Sequence, residues 1–312
     1  MIVAEGLTRF YGKFEAVSGI SFTAVSGEVV GLLGQNGAGK STVMNMLAGC
    51  LTPSRGRVFV GQHDLSKNPH AAKNLVGYLP EVPPLYPELT VAEYLKFCCR
   101  IKGVHPKDIN QHITEIMDLA GITEVQRQVI GSLSKGYRQR TGLAQALCGN
   151  PDILLLDEPT AGFDPKQAVG FRKLIRKLAK DKTILFSSHL LSEVQEICDR
   201  VLIIHQGKLM MDHRMNQEDG IITYRLIAQA APGRVLAPLR QLSSVQRVKT
   251  IGEPRPDQTR VMVQTDQSAA FTSQLFTLLS GLNAPIIELT PMQDTLENLF
   301  LNVTAQTGAQ GL

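Results

Sequence analysis

Residues 28–42, "EVVGLLGQNGAGKST", decide the fold. The stretch opens with a near-continuous apolar run. It then passes through a glycine-rich segment that fits G-x-x-x-x-G-K-[ST] in full and enters the helical pattern "KSTVMNMLAG". Strand, loop and helix in that order are what this motif requires, because the loop must turn backbone N–H groups toward phosphate oxygens at a helix N-terminus. Gly34, Gly37 and Gly39 let the backbone approach closely, with Gln35, Asn36 and Ala38 between them and Thr42 closing the segment. Lys40 is placed to reach the β- and γ-phosphates of a nucleotide, and Ser41 to set its hydroxyl on Mg²⁺. The pattern alone leaves every class of phosphate-loop enzyme open.

Three further apolar runs, "DILLLDEP" (152–159), "KTILFSSH" (182–189) and "RVLIIHQG" (200–207), suit strands buried on both faces. They alternate with helical patterns up to about residue 215, which predicts an α/β domain around a largely parallel sheet. Asp157 and Glu158 stand together at the end of such a run. Asp157 can hold Mg²⁺ through a water, and Glu158 beside it can take a proton from an attacking water. Two adjacent acids at a strand end also read as a solvated turn, and the phosphate loop in the same chain tells against that. His189 ends another strand, where ligands bind in a doubly wound sheet. The ring of Tyr11 can stack on adenine, although the pattern by itself leaves that assignment open.

Residues 89–147 read as a helical insert. Thr90 and Glu93 form a capping box ahead of "VAEYLKFCCRIKG", and "PKDINQHITEIMDLAGI" opens on a proline suited to a helix start. The preceding "YLPEVPPLYPELT" cannot be regular structure and reads as a stiff exposed loop fit for docking. Within the insert, "LSKGYRQR" (133–140) reads as a loop carrying Ser134 and Gly136 into a helix over 137–147, a second anion site about a hundred residues after the first.

The chain has 312 residues, more than one domain usually holds, with 43% hydrophobic and 19% charged residues, ordinary values for a globular protein. No apolar run is long enough to span a bilayer and residues 1–12 lack a leader pattern, so a cytosolic protein is expected. The five cysteines show no metal-binding spacing and read as reduced, mostly buried thiols. A net charge of +4 is too small to argue for nucleic acid. The basic helix "PKQAVGFRKLIRKLAKDK" reads as a sheet cover with a solvated face, since Phe171, Leu174, Ile175 and Leu178 recur at helical spacing behind Asp164. After residue 215 the pattern becomes strand, helix, strand, strand, helix, strand, the split βαβ order of a ferredoxin-like α+β domain over residues 220–304. That stretch includes a last amphipathic helix, "DTLENLFLNVT", and residues 305–312 read as a loose tail.

With these motifs in place, residues 1–212 resemble the ATP-binding cassette (ABC) family, whose segments occur here in family order. Walker A is 34–42, the signature 133–139, Walker B 153–158 and the D-loop "AGFD" 161–164, including Asp164. His189 matches the switch histidine and Tyr11 the aromatic of the adenine loop. The resemblance implies a P-loop NTPase cassette over residues 1–215 with ATP and Mg²⁺ as cofactors and Lys40, Glu158 and His189 as catalytic groups. It also accounts for the second anion site. Cassettes of this family pair head to tail, so Ser134, Lys135 and Gly136 would meet ATP held by a second copy, in a homodimer. Two positions depart from the family. Lys135 replaces the usual glycine, and Glu81, in "GYLPEVPP", replaces the Q-loop glutamine with an acid that cannot donate a hydrogen bond.

The segment "MQDTLENLFLNVT" is similar to the tail of single-cassette ATPases of bacterial ABC-2-type exporters. That similarity implies hydrolysis coupled to transport through separate membrane permease subunits, with the chain peripheral on the inner face of the membrane and no nucleic-acid partner. The alternatives are a soluble ABC ATPase that remodels a ribosome or DNA complex, and a regulatory module whose second domain senses a small ligand. One cassette followed by a near-neutral domain argues against the first.

Overall fold

In the computed structural model, residues 1–161, 163–215, 221–252, 255–266 and 270–292 are described. The chain divides into two units, Met1–Asn216 and Gln217–Leu312. The first begins with β1 (Ile2–Tyr11), β2 (Phe14–Ala24), β3 (Val29–Leu33), α1 (Lys40–Leu47), β4 (Arg55–Val60), β5 (His63–Asp64), α2 (Pro69–Asn74) and β6 (Val76–Leu79). The helical insert follows as α3 (Val91–Ile101), α4 (Ile109–Ala120) and α5 (Lys135–Leu147). Then come β7 (Ile153–Asp157), α6 (Pro165–Leu178), β8 (Thr183–Ser188), α7 (Leu191–Ile197), β9 (Arg200–His205) and β10 (Lys208–Arg214).

The apolar runs become the centre of a six-stranded sheet of order β10-β9-β3-β8-β7-β6, parallel except for the antiparallel edge strand β10. Every residue of β3, β7 and β8 is buried, as strands covered on both faces require. A second sheet, β2-β1-β4-β5, is antiparallel throughout. Its strands are not evident from alternation because β1 slips register at several points against β2, and each bulge interrupts the period of two. Helix α1 buries Val43, Met44, Met46 and Leu47 in one cluster with Leu7 and Ile20 of the second sheet and Leu32, Leu155 and Leu185 of the first. The phosphate loop is therefore held between a fully buried strand and a helix embedded in the main core.

In the insert, the capping box of α3 is present on both sides: Glu93 N–H donates to Thr90 Oγ1 at 3.3 Å and Thr90 N–H to Glu93 Oε2 at 2.9 Å. Helix α4 begins at Ile109, not at Pro106, because Asp108 N–H donates to His105 O and turns the proline segment outside the helix. Helix α5 begins at Lys135, two residues earlier than expected. Ser134 Oγ accepts the Tyr137 N–H at 3.4 Å, so Ser134 is the N-cap and Lys135 and Gly136 belong to the first turn. Residues 80–89 run without regular structure, as the prolines dictate. The basic helix is α6, with Phe171 and Ile175 buried, Asp164 Oδ1 capping Gln167 N–H at 2.8 Å, and Arg172 and Arg176 paired with Glu196 and Asp199.

The second unit contains β11 (Ile221–Ala228), α8 (Pro232–Arg240), β12 (Val245–Thr250), β13 (Thr259–Asp266), α9 (Ala270–Gly281) and β14 (Ile286–Met292). Its sheet has the order β12-β13-β11-β14 with every neighbouring pair antiparallel. Leu226, Val261 and Val263 of the sheet share a core with Val235 and Leu239 of α8 and Phe271, Leu275 and Leu279 of α9. The expected last helix and tail lie outside the described residues. Cys99, Cys148 and Cys198 are buried and all five cysteines are free, Cys50 being exposed. Among the described residues, no helix is long and apolar enough to cross a membrane.

Candidate active site

The C-terminal ends of β3, β7 and β8 open onto one cleft of about 430 Å³. The phosphate loop forms its floor through Gln35, Asn36, Gly37, Gly39, Lys40, Ser41 and Thr42, and Tyr11, Glu81, Glu158 and His189 complete the walls. Two glycines are required here by geometry. Gly39 has φ 106°, a conformation L side chains rarely adopt, and a Cβ on Gly34 would sit 2.5 Å from Ile204 O. Gly39 is also the N-cap of α1, with no side chain bonded to the first-turn amides. An uncapped helix start beside a lysine is a site for a phosphate anion.

Lys40 is 6% exposed and donates to Gly34 O at 2.8 Å and Gln35 O at 3.3 Å. Its ammonium also lies 3.4 Å from Glu158 Oε1, and Glu158 Oε2 lies 2.8 Å from His189 Nδ1. Cation, carboxylate and imidazole thus form a continuous chain across the cleft. An ionised carboxylate only accepts hydrogen bonds, so Nδ1 of His189 is the donor in that contact. Glu158 sits at φ 45°, an uncommon backbone position for a residue with a side chain, and it is fixed by its own N–H donating to Ser187 Oγ at 2.9 Å. Ser187 in turn donates to Asp157 Oδ1. This follows from the parallel register, which sets Asp157 opposite Ser187 at the last rung of the β7–β8 ladder.

Asp157 is 2% exposed and lies behind Glu158 rather than in the cleft wall. Burial, with the Asp157 charge as a second cause, raises the Tyr78 hydroxyl above its usual range, and that hydroxyl donates to Asn45 Oδ1 at 3.2 Å. Tyr11 is about half exposed at the tip of the β1–β2 hairpin, with the Arg9 guanidinium 5.1 Å from its ring centre. Gly34 and Ala38 are buried behind the loop. Ser134, Lys135, Gly136 and Asp164 do not line this cleft. Gly136 instead faces the start of α6, where a Cβ would meet Gln167 Oε1 at 3.0 Å.

Sequence reasoning missed several groups. Phe14, 68% exposed, stands across the hairpin from Tyr11 and joins the cleft wall with Ala16 and Ala161. The paired serines before His189 were missed as well: Ser187 accepts the Glu158 N–H and donates to Asp157, Ser188 donates to Glu193, and "FSSH" at a strand end was the available signal.

The family model described as "ABC transporter" matches residues 17–161, from β2 through the turn after Glu158. The linearmycin resistance ATP-binding protein LnrL of Bacillus subtilis is 33% identical over 98% of this chain and 99% of its own length. The chain belongs to the ABC transporter family. It is an ATP-binding subunit of the bacterial kind. The bacitracin transport ATP-binding protein BcrA of Bacillus licheniformis is 36% identical over 73% of this chain and 76% of its own. A solved ATP-binding subunit of an ABC transporter superposes with a TM-score of 0.65 at 26% identity, covering 69% of this chain and 90% of that one. A dimeric cassette in a post-hydrolysis state with ADP and Pi superposes at 0.64 with 22% identity, covering 69% and 99%, a likeness of fold. ABC cassettes are ATPases, and the first unit of this chain is such a cassette.

Proposed function

We propose that this ABC ATPase powers export through separately encoded membrane permease subunits, working as a homodimer that binds ATP and Mg²⁺ at two shared sites. The carrying observation is the division of the motifs. Lys40, Glu158 and His189 meet in one cleft, whereas Ser134, Lys135 and Gly136 line no part of it and cap a helix elsewhere on the unit. A signature that serves no purpose at its own nucleotide suits a second copy's γ-phosphate, in a two-fold arrangement. In this reading Glu158 takes a proton from the attacking water, His189 orients that carboxylate, Lys40 holds phosphate oxygens, and Gln35–Thr42 amides cradle the rest. Tyr11 stacks on the base and Asp164 sits at the copy-to-copy seam.

The Ser41 hydroxyl lines the cleft and would be the direct protein ligand of Mg²⁺, whereas the Asp157 carboxylate, buried behind Glu158 and bonded to Ser187, would act on the ion only through a water, in keeping with an ion that takes few protein ligands and keeps waters and phosphates. When bound, the ion would neutralise charge developing on the phosphates.

The named relatives are transport and resistance ATP-binding proteins, which favours transport over remodelling of a ribosome or DNA complex. The residue 80–89 loop and the α3–α5 insert are the surfaces we assign to the permease, which would hold the chain on the inner membrane face. Residues 1–215 are read as the cassette and 220–304 as a ferredoxin-like accessory domain, a reading supported by the strand order β12-β13-β11-β14 with two helices.

Glu158→Gln tests the reading. Turnover should fall by at least about a hundredfold, as for loss of a general base, while ATP binding persists. Tagged Glu158→Gln protein isolated from detergent-solubilised cells with Mg-ATP should bring down a polytopic membrane protein. Ribosomal or DNA-bound proteins alone would overturn the transport reading.

A further inference from the structure

Glu193 lies in the first turn of α7 and is 8% exposed, yet it is no part of the cleft wall. Each of its carboxylate oxygens is occupied. Thr160 Oγ1 donates to Oε1 at 2.7 Å and Ser188 Oγ donates to Oε2 at 2.8 Å. These two hydroxyls belong to the two segments that carry the reacting groups: Thr160 stands two residues after Glu158, and Ser188 immediately before His189. Ser188 is itself committed, accepting the Leu190 N–H at 3.0 Å and so shaping the turn past His189.

The β7–β8 ladder ends at the Asp157–Ser187 rung. Beyond it Glu158 enters a turn at an uncommon φ of 45°, and no backbone hydrogen bond of the ladder holds it against His189. Side chains do so instead. Ser187 bridges to Asp157 and the Glu158 N–H on one side, and Glu193 clasps Thr160 and Ser188 on the other. A buried carboxylate with both oxygens taken by hydroxyls is a costly group to place in a core without a geometric return, since it gives up hydration for two short bonds. Its position at a helix N-terminus offsets part of that cost.

We propose that Glu193 is a positioning residue. It pins the turn after Glu158 to the strand end before His189 and so sets the 2.8 Å contact between them. The inference rests on the reading of Glu158 as the base. A displacement of about 1 Å at a reacting group can cost up to a hundredfold in rate.

The experiment compares Glu193→Ala, Glu193→Gln, Thr160→Val and the Glu193→Ala/Thr160→Val double variant, with Glu158→Gln alongside. Steady-state ATP hydrolysis is normalised to nucleotide sites counted by ATP titration, so a partly unfolded sample does not imitate a slow one. For Glu193→Ala, kcat should fall about tenfold to a hundredfold with KM for ATP within about twofold of the parent. Glutamine, which keeps an acceptor oxygen and adds a donor, should recover most of that loss. Thr160→Val should cost several-fold alone and add nothing once Glu193 is alanine, because both changes open the same clasp. If Glu193→Ala does not fold, Thr160→Val alone carries the test: a several-fold fall in kcat with KM for ATP unchanged supports the clasp, and a parental kcat overturns it. Normal kcat in Thr160→Val and Glu193→Ala beside an inactive Glu158→Gln overturns the positioning role alone. Near-parental turnover in Glu158→Gln removes the base, and the clasp's purpose with it.

Discussion

Position 81 shows what one side chain can change within a shared cleft. Glu81 is exposed and lines the site of Lys40 and Glu158, where a glutamine would be neutral and able to donate. A second carboxylate in the cleft raises the cost of bringing in a polyanion. Through water that cost is about 0.5–1 kcal/mol, because screening is strong for exposed groups. Glu81→Gln should therefore tighten ATP binding by about twofold to fivefold at low salt, with the gain shrinking as salt rises. Unchanged or weaker binding by titration at low salt would mean that Glu81 makes a positive contribution, as an oxygen ligand does. That Lys40, Glu158 and His189 share one cleft was legible because each sits at a fixed offset from an apolar run, whereas the burial of Asp157 behind Glu158 was not. Glu193 and Thr160 were not, since a buried clasp between two loops leaves no spacing pattern in one chain.

At the level of elements, periodicity gave the four central strands and the longer helices but not the short α2 and α7, and it failed where the backbone departs from a regular repeat. Bulges concealed β1 and β2, and side-chain capping by Ser134 moved the start of α5 across a lysine and a glycine that read as loop. The site depends on such elements through tight packing. Strand β6, at the edge of the main sheet, lies against α5, and Gly77 is the point of nearest approach: a Cβ there would stand 1.9 Å from Ala146 O. No rotamer relieves a clash with backbone, so strand and helix must part. Gly77→Ala should cost about 1–3 kcal/mol or more, typical of overpacking, and lower Tm by several degrees. A Tm within about one degree of the parent would mean that the insert rides on the sheet with more freedom than this packing allows.

For the whole molecule, the question is why a chain with one phosphate loop carries a second helix start suited to phosphate. Within the unit, α5 begins far enough from the cleft that Ser134 and Gly136 share no lining with Lys40. A ligand shifts an equilibrium only by the contacts it makes in one state and not the other, so in the proposed pair of copies ATP would favour closure to the extent that the second copy's α5 touches it. Ser134→Arg places bulk where, in the proposed pair, the second copy's phosphate would come within hydrogen-bond reach. Monomer affinity for ATP should stay within about twofold, since Ser134 does not line the chain's own site, and loss of the cap costs about 0.5–2 kcal/mol of stability that a melting curve will show. In a Glu158→Gln background, where hydrolysis cannot reopen the pair, the parent should elute as a dimer with Mg-ATP and the Ser134→Arg variant as a monomer. Normal ATP-driven dimerisation of that variant would show that the signature serves something other than the second nucleotide, and the reason for two phosphate-ready helix starts would have to be sought within a single copy.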